Sequence, residues 1–194
     1  MSEASAPALF EALLSKERHD ISVPLEKAPL YPGDSSFSRQ WMAVFENGSS
    51  YRLSLISLGS HTGTHIDSPA HILRDGSSLD SYPLDRFITL AQVIAVEDCD
   101  AVPAQALQDV GIVKGESILF KTSNSSRGLM HDPIFRDEYT SLSLPAAQIC
   151  VLRGAGLVGI DYLSVDRYED ESLPVHNILL KNDVLILEGI DLDA

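Results

Sequence analysis

Cysteine, positive charge and long apolar runs are all scarce in this chain. Its two cysteines, Cys99 and Cys150, carry no metal-like spacing. One disulfide is open to them, but two thiols in an intracellular protein is the preferred reading. The 14 lysines and arginines face 28 aspartates and glutamates, a net charge of −14. That balance argues against nucleic acid and anionic membrane as partners. No apolar run approaches membrane-spanning length. The first fifteen residues have no basic stretch ahead of their apolar ones, so a secretory signal is not expected and a cytoplasmic enzyme is. Repeats, linkers and low-complexity tracts are also missing. With 194 residues and 44% hydrophobic content, one sizeable domain with a real core is expected.

Histidine is what the chain concentrates. Within Gly59-Ser60-His61-Thr62-Gly63-Thr64-His65-Ile66-Asp67-Ser68-Pro69-Ala70-His71, three imidazoles and a carboxylate fall in eleven consecutive residues. A helix is disfavoured there by Gly63 and by the β-branched Thr62, Thr64 and Ile66. In extended chain His65 and Asp67 point to one side, and a turn at Gly63 can fold His61 back onto them. Ser68-Pro69 reads as an N-cap followed by proline at the first helical position, which places His71 in the first turn of a short helix. Imidazole nitrogen with carboxylate oxygen suits zinc, manganese or iron rather than calcium or magnesium.

The remaining elements follow from periodicity. Leu9, Phe10, Leu13 and Leu14 repeat at helical spacing, an N-terminal extension over residues 1–19 ahead of a domain over 20–194. Asp20 to Pro24 reads as a short strand, and Leu30 to Asp34 as a turn headed by Tyr31. That tyrosine fits a buried packing residue or a substrate wall equally. Apolar residues alternate over Ser38 to Phe45 and Tyr51 to Leu58, with Asn47-Gly48 between them, a β-hairpin signal. Buried strands are expected over Ile88 to Val96, Ser117 to Lys121, Gly156 to Ile160 and Asp183 to Leu187. Helices are expected over Pro103 to Val110, over Leu144 to Arg153 capped by Ser143, and from Pro174 capped by Ser172. Thr122 to Tyr139 has no periodicity and reads as a lid, with His131 a loop histidine lacking a partner carboxylate. The acidic run from Asp166 to Glu171 reads as a solvated turn. His176 and Glu188, taken alone, read more readily as a solvent-facing histidine and a surface glutamate than as ligands.

The motif HTGTHIDSPAH resembles the signature of the cyclase metal-dependent hydrolases, which include bacterial kynurenine formamidase and isatin hydrolase. The resemblance runs in order through Asp20-Ile21-Ser22, Tyr31-Pro32-Gly33-Asp34, Pro83 to Phe87, Lys121-Thr122-Ser123, Gly159-Ile160-Asp161, Ser164-Val165-Asp166, Leu173 to Leu180 and Ile186-Leu187-Glu188. It implies an α/β domain with a mixed β-sheet core and flanking helices, the swivelling β/β/α type, assembled as a homodimer or homotetramer. It implies two divalent ions per subunit, zinc or manganese. His61 and His65 would ligate one and His176 the other, with Asp67 and Glu188 bridging and His71 transferring a proton. It also implies hydrolysis of a small amide: N-formylkynurenine to kynurenine and formate. The alternatives are ring opening of a cyclic amide or lactone, as in isatin hydrolase, and a metal- or small-molecule-binding relative without catalysis. The formamidases carry tryptophan where this chain has Tyr31, and an aromatic residue soon after Asn124-Ser125 where this chain has none. Family members also continue past Glu188 with a further strand, so an open or partner-covered sheet edge is expected here.

Overall fold

The structure is a computed structural model that describes residues 16–193. The predicted N-terminal helix lies outside the described residues. Among the described residues, nine strands form three sheets. Five of them make the central sheet in the order β3-β9-β8-β6-β4. These are β3 (His65–Asp67), β4 (Ala91–Val96), β6 (Ser117–Thr122), β8 (Leu157–Ile160) and β9 (Leu185–Glu188). The pairs β4·β6, β6·β8 and β8·β9 are parallel, and β3 runs antiparallel to β9. This is the mixed sheet expected. Its middle strands are Leu/Ile/Val-rich and buried on both faces, as interior parallel strands are.

Two helices cover one face of the sheet. α1 (Leu144–Leu152) starts at Ser143, whose Oγ accepts the Ala146 N–H. α2 (Pro174–Lys181) begins with proline and closes at Asn182. Ala146, Ala147, Cys150, Leu179 and Leu180 pack on Ile118, Phe120, Val158, Ile160 and Ile186 to form the main core. A smaller cluster of Leu119, Leu157, Leu185 and Ile190 fills the opposite face. Cys99 and Cys150 are both free thiols. No helix among the described residues is long and apolar enough to cross a membrane.

Several local expectations shift. Asp20 to Pro24 is not a strand. It is held by single hydrogen bonds, Asp191 N–H to Ile21 O (2.9 Å) and Val23 N–H to Thr64 Oγ1 (2.9 Å), so no ladder forms. The helix expected from Pro103 shrinks to one 3₁₀ turn at Ala104–Leu107. The lid is ordered, with a helical turn at Ser123–Ser126 and a 3₁₀ turn at Leu129–His131. Its anchor is the buried Asp161 carboxylate, which accepts from Thr122 N and Oγ1 and from Ser125 N and Oγ. The lid's buried apolar residues Leu129, Met130 and Tyr139 come from irregular turns and so show no period. The hairpin exists as β1 (Ser38–Ala43) paired antiparallel with β2 (Leu53–Ser57). Its connection is longer than a two-residue turn, because a 3₁₀ turn at Phe45–Asn47 intervenes before Gly48 at φ 81°.

Candidate functional site

The motif's local chemistry delivers its side chains to one point. Gly63, at φ 70°, turns the chain so that His61 folds over β3. His65 and Asp67 then point the same way along that strand. Ser68 is the N-cap and Pro69 the first residue of a 3₁₀ turn that ends on His71. From the other end of the chain, Glu188 is the cross-strand neighbour of His65 in the antiparallel β3·β9 pair. His176 enters from the first turn of α2.

Five of these side chains surround the sixth, Asp67. His61 Nδ1 lies 3.0 Å from Asp67 Oδ1, and His65 Nε2 lies 3.7 Å from the same oxygen. Asp67 Oδ2 is 3.6 Å from His176 Nε2 and 3.9 Å from His71 Nε2. Glu188 reaches His65 Nε2 at 3.6 Å and His176 Nε2 at 3.4 Å. Two three-ligand groupings result, His61–Asp67–His71 and His65–Asp67–Glu188, each with its ligand atoms within 4.8 Å of one another.

The electrostatics of this cluster favour a cation. Asp67, His176 and Glu188 are buried, and Asp67 Oδ2 has no hydrogen-bond partner. Burial works to raise the Asp67 carboxyl, but contacts with His176 and His61 win and hold it well below the usual range. Glu188 is pushed up to about 7, first by burial. Burial opposes charge on His176, yet Glu188, Asp166 and Asp67 together raise it to about 10. His61 is raised chiefly by its hydrogen bond to Asp67, whereas burial lowers His65 and His71.

Two imidazoles are also fixed in the tautomer a metal needs. His65 Nδ1 lies 3.0 Å from the Gly63 carbonyl, so it carries the proton and Nε2 is an acceptor facing the cluster, 3.0 Å from His61 Nδ1. His176 Nδ1 lies 2.7 Å from Asp166 Oδ2, so its Nδ1 proton is held there and Nε2 is the nitrogen that an ion would take, displacing the proton on it. This mixed nitrogen and oxygen donor set fits a divalent transition-metal ion.

Asp166 is the site residue that sequence reasoning missed. Far from being part of a solvated turn, it is 1% exposed. Its two oxygens accept Val175 N–H (2.8 Å), His176 N–H (2.9 Å) and the His176 ring proton. It therefore caps α2, the role expected of Ser172. The actual N-cap position is held by Leu173 at φ 46°, with no side-chain hydrogen bond. The one available signal was a carboxylate eight residues ahead of a helix-opening proline. His131 does find a carboxylate, Asp191 Oδ2 at 3.0 Å, far downstream and outside the cluster.

A cavity of about 220 Å³ opens beside the cluster. Its walls include Tyr31, His71, Leu163, Ser164 and Leu173. Phe135, from the lid, meets the Tyr31 ring edge-on at 5.3 Å, and Tyr168 does so at 5.9 Å. The lid thus supplies an aromatic residue, later in sequence than expected. Burial raises the Tyr31 hydroxyl's pKa, which keeps it a neutral phenol.

Comparison with known proteins identifies the chain's relatives. Residues 19–167 match the Cyclase family model, a span that ends before His176 and Glu188. The chain is 34% identical to the kynurenine formamidase of Salinibacter ruber over 174 residues, 88% of this chain and 81% of that one. A solved structure from Bacillus stearothermophilus, described as a predicted metal-dependent hydrolase, superposes with a TM-score of 0.73 at 26% identity, covering 90% of this chain and 82% of that one. Isatin hydrolase A from Ralstonia solanacearum shares the fold, with a TM-score of 0.78 at 20% identity over 97% and 85% of the two chains.

Proposed function

The chain belongs to the Cyclase family, and from that premise we propose that it is a metal-dependent amidohydrolase of the kynurenine formamidase type. Its reaction is cleavage of the amide C–N bond of N-formylkynurenine to give kynurenine and formate, a step of tryptophan catabolism. The observation that carries this reading is the convergence of four imidazoles and two carboxylates on one buried point beside a small aromatic-walled cavity.

In this reading His61 and His65 would hold one divalent ion and His176 a second, with the Asp67 and Glu188 carboxylates shared between them. Each subunit takes two ions, zinc in first place and manganese in second. When bound, such ions supply Lewis acidity toward the carbonyl and lower the pKa of water. His71 moves the proton. Burial lowers its pKa, so it is neutral near pH 7 and can accept a proton as water attacks. It then returns that proton to the departing nitrogen, without which an amide leaves poorly. Tyr31 packs against the aryl ring and is itself held by Phe135 and Tyr168. Leu163 and Leu173 keep that end of the cavity dry. We place the enzyme in the cytoplasm as a homodimer or homotetramer.

Ring opening of a cyclic amide such as isatin uses the same groups. The cavity volume, about 220 Å³, favours it as the second reading, since a fused bicycle needs less room than an extended kynurenine side chain. Elemental analysis paired with hydrolysis assays tests both. A transition metal in the purified protein, activity on N-formylkynurenine and loss of that activity with chelator are expected. Faster turnover of isatin than of any formyl amide would shift the assignment to the second reading. Metal-free protein with full activity would end both.

A further inference from the structure

One charged side chain of the cavity takes no part in the metal cluster. Tyr31-Pro32-Gly33-Asp34 folds as a tight turn, with proline second, Gly33 third at φ 96°, and Asp34 N–H donating to Tyr31 O at 3.1 Å. Proline presets the first half of such a turn and glycine is at ease in the second, so these two residues dictate the bend. The turn sets Asp34 beside Tyr31, and both line the cavity of about 220 Å³. Asp34 is exposed at the rim. Among the described residues no lysine, arginine or histidine pairs with its carboxylate. Its charge still reaches inward. Behind burial it helps raise the Tyr31 hydroxyl, and behind the Asp67 contact it helps raise His61.

Nothing of opposite sign answers Asp34 in that cavity. The rest of the lining is histidine, tyrosine, leucine, serine and Glu188, without a lysine or arginine. Its imidazoles and Glu188 belong to the metal cluster, where the formyl group must sit. The lid arginines are engaged elsewhere: Arg127 donates to Glu138 O at 2.7 Å, and Arg136 pairs with Asp132 at 2.7 Å. Arg167, next to Asp166 in sequence, lines a separate cavity. With an aryl ring packed on Tyr31, a substituent that reaches outward past that ring meets Asp34 at the rim.

We propose that Asp34 reads the substrate's tail as a cation, so that the enzyme also hydrolyses aryl formamides whose ortho tail ends in an ammonium and carries no carboxylate, and prefers them to N-formylkynurenine. The proposal rests on the hydrolase reading and narrows its substrate class. An ammonium at the rim gains a partner, and a carboxylate there meets a like charge on a molecule already at net −14. The zwitterionic tail of N-formylkynurenine gains the one and suffers the other. Dropping the carboxylate also shortens the tail, which suits a cavity of about 220 Å³. The bond change is the same for both: the formyl C–N bond breaks, water's oxygen joins the formyl carbon, and a proton goes to the aryl nitrogen. The products are formate, a second proton and the free aryl amine.

The test is a series of ortho-acyl formanilides that differ in tail charge: formamidoacetophenone (neutral), N-formylkynuramine (cation), N-formylkynurenine (zwitterion) and deaminated N-formylkynurenine (anion). The ratio kcat/KM is measured for each with the full chain as purified with its metal, and with Asp34→Asn and Asp34→Lys. An ion pair at an exposed rim is worth up to about 5-fold. The parent is therefore expected to take the cation about 5-fold faster than the neutral probe and the anion about 5-fold slower, with the zwitterion below the cation. Rising salt should compress that spread. Asp34→Asn should flatten the series and Asp34→Lys should invert it. A parent that prefers the zwitterion to the cation overturns the proposal, and so does an unchanged order in Asp34→Lys. Turnover of none of the four removes the hydrolase reading instead. Tail preference is then read by calorimetry, from binding of the aryl amines kynuramine and kynurenine. Tighter binding of kynuramine to the parent, reversed in Asp34→Lys, supports the proposal, and equal affinities overturn it.

Discussion

Replacing Asp166 with asparagine separates the geometry of the site from its charge. The carboxylate takes three hydrogen bonds, two from the start of α2 and one from the His176 ring. Asparagine keeps a single acceptor oxygen and brings an NH₂ that only donates. Val175 N–H binds Oδ1, whereas His176 N–H and the His176 ring share Oδ2, so an amide nitrogen in the Oδ2 place leaves both His176 donors without an acceptor and the tautomer is no longer fixed. Loss of such an outer partner costs roughly 10–100-fold in metal affinity. Two charge-assisted buried bonds, at about 1.5–3 kcal/mol each, add a stability loss of about 3–6 kcal/mol. The assays are competition with a chromogenic chelator for affinity, and urea unfolding of ion-free samples for stability. Ser143→Ala is the control. It removes the cap of α1, far from the cluster, and should cost about 1 kcal/mol of stability with no change in metal affinity. A folded Asp166→Asn protein that binds metal within about twofold of the parent would refute the reasoning, because His176 would then not depend on its carboxylate.

His71→Ala should keep the parent's metal content by elemental analysis and lose roughly 10²–10⁴-fold in turnover. Metal loss instead would make His71 a ligand, as the His61–Asp67–His71 grouping permits. Gly189→Ala should destabilise the fold and the site together. Gly189 sits at φ 67°, where a side chain costs ~1–2 kcal/mol, and a methyl there would collide with the Gly63 carbonyl at the motif's own turn. Differential scanning calorimetry and metal titration check both effects. Ion-free protein should melt at progressively lower temperature from about pH 7 to 9, above the range in which His65 and His71, lowered from 6.5 by burial, act in the opposite sense. Glu188 is raised from 4.5 to about 7 in the fold and His176 from 6.5 to about 10, so the stability each contributes is complete below its unfolded value and lost as pH passes the folded one. A melting temperature that rises over that range contradicts these assignments.

The motif could be read from sequence because its logic is local. A glycine turn, a three-residue strand and a Ser-Pro start are each visible in the residues, and together they group His61, His65, Asp67 and His71. The central strands were legible for a similar reason, since runs such as Ser117–Thr122 are apolar on both faces. His176 and Glu188 were singled out by family resemblance alone, because nothing within their own segments separates them from surface residues. Asp166 stayed hidden for a related cause. Its partners lie nine and ten residues away across a turn, outside any helical or strand period. The hairpin gave the right pairing and a misleading implication. Alternating apolar residues ordinarily mark a half-buried strand, yet here neither strand joins a core cluster among the described residues.

The antiparallel union of β3 with β9 has a consequence for synthesis. A ribosome releasing ~5–20 residues each second delivers the early imidazoles roughly 5–20 s ahead of His176 and Glu188. During that interval the nascent polypeptide carries half a chelate and no partner strand to complete it. Tight ion capture then becomes a late event, one that marks a finished molecule and stabilises the whole of it.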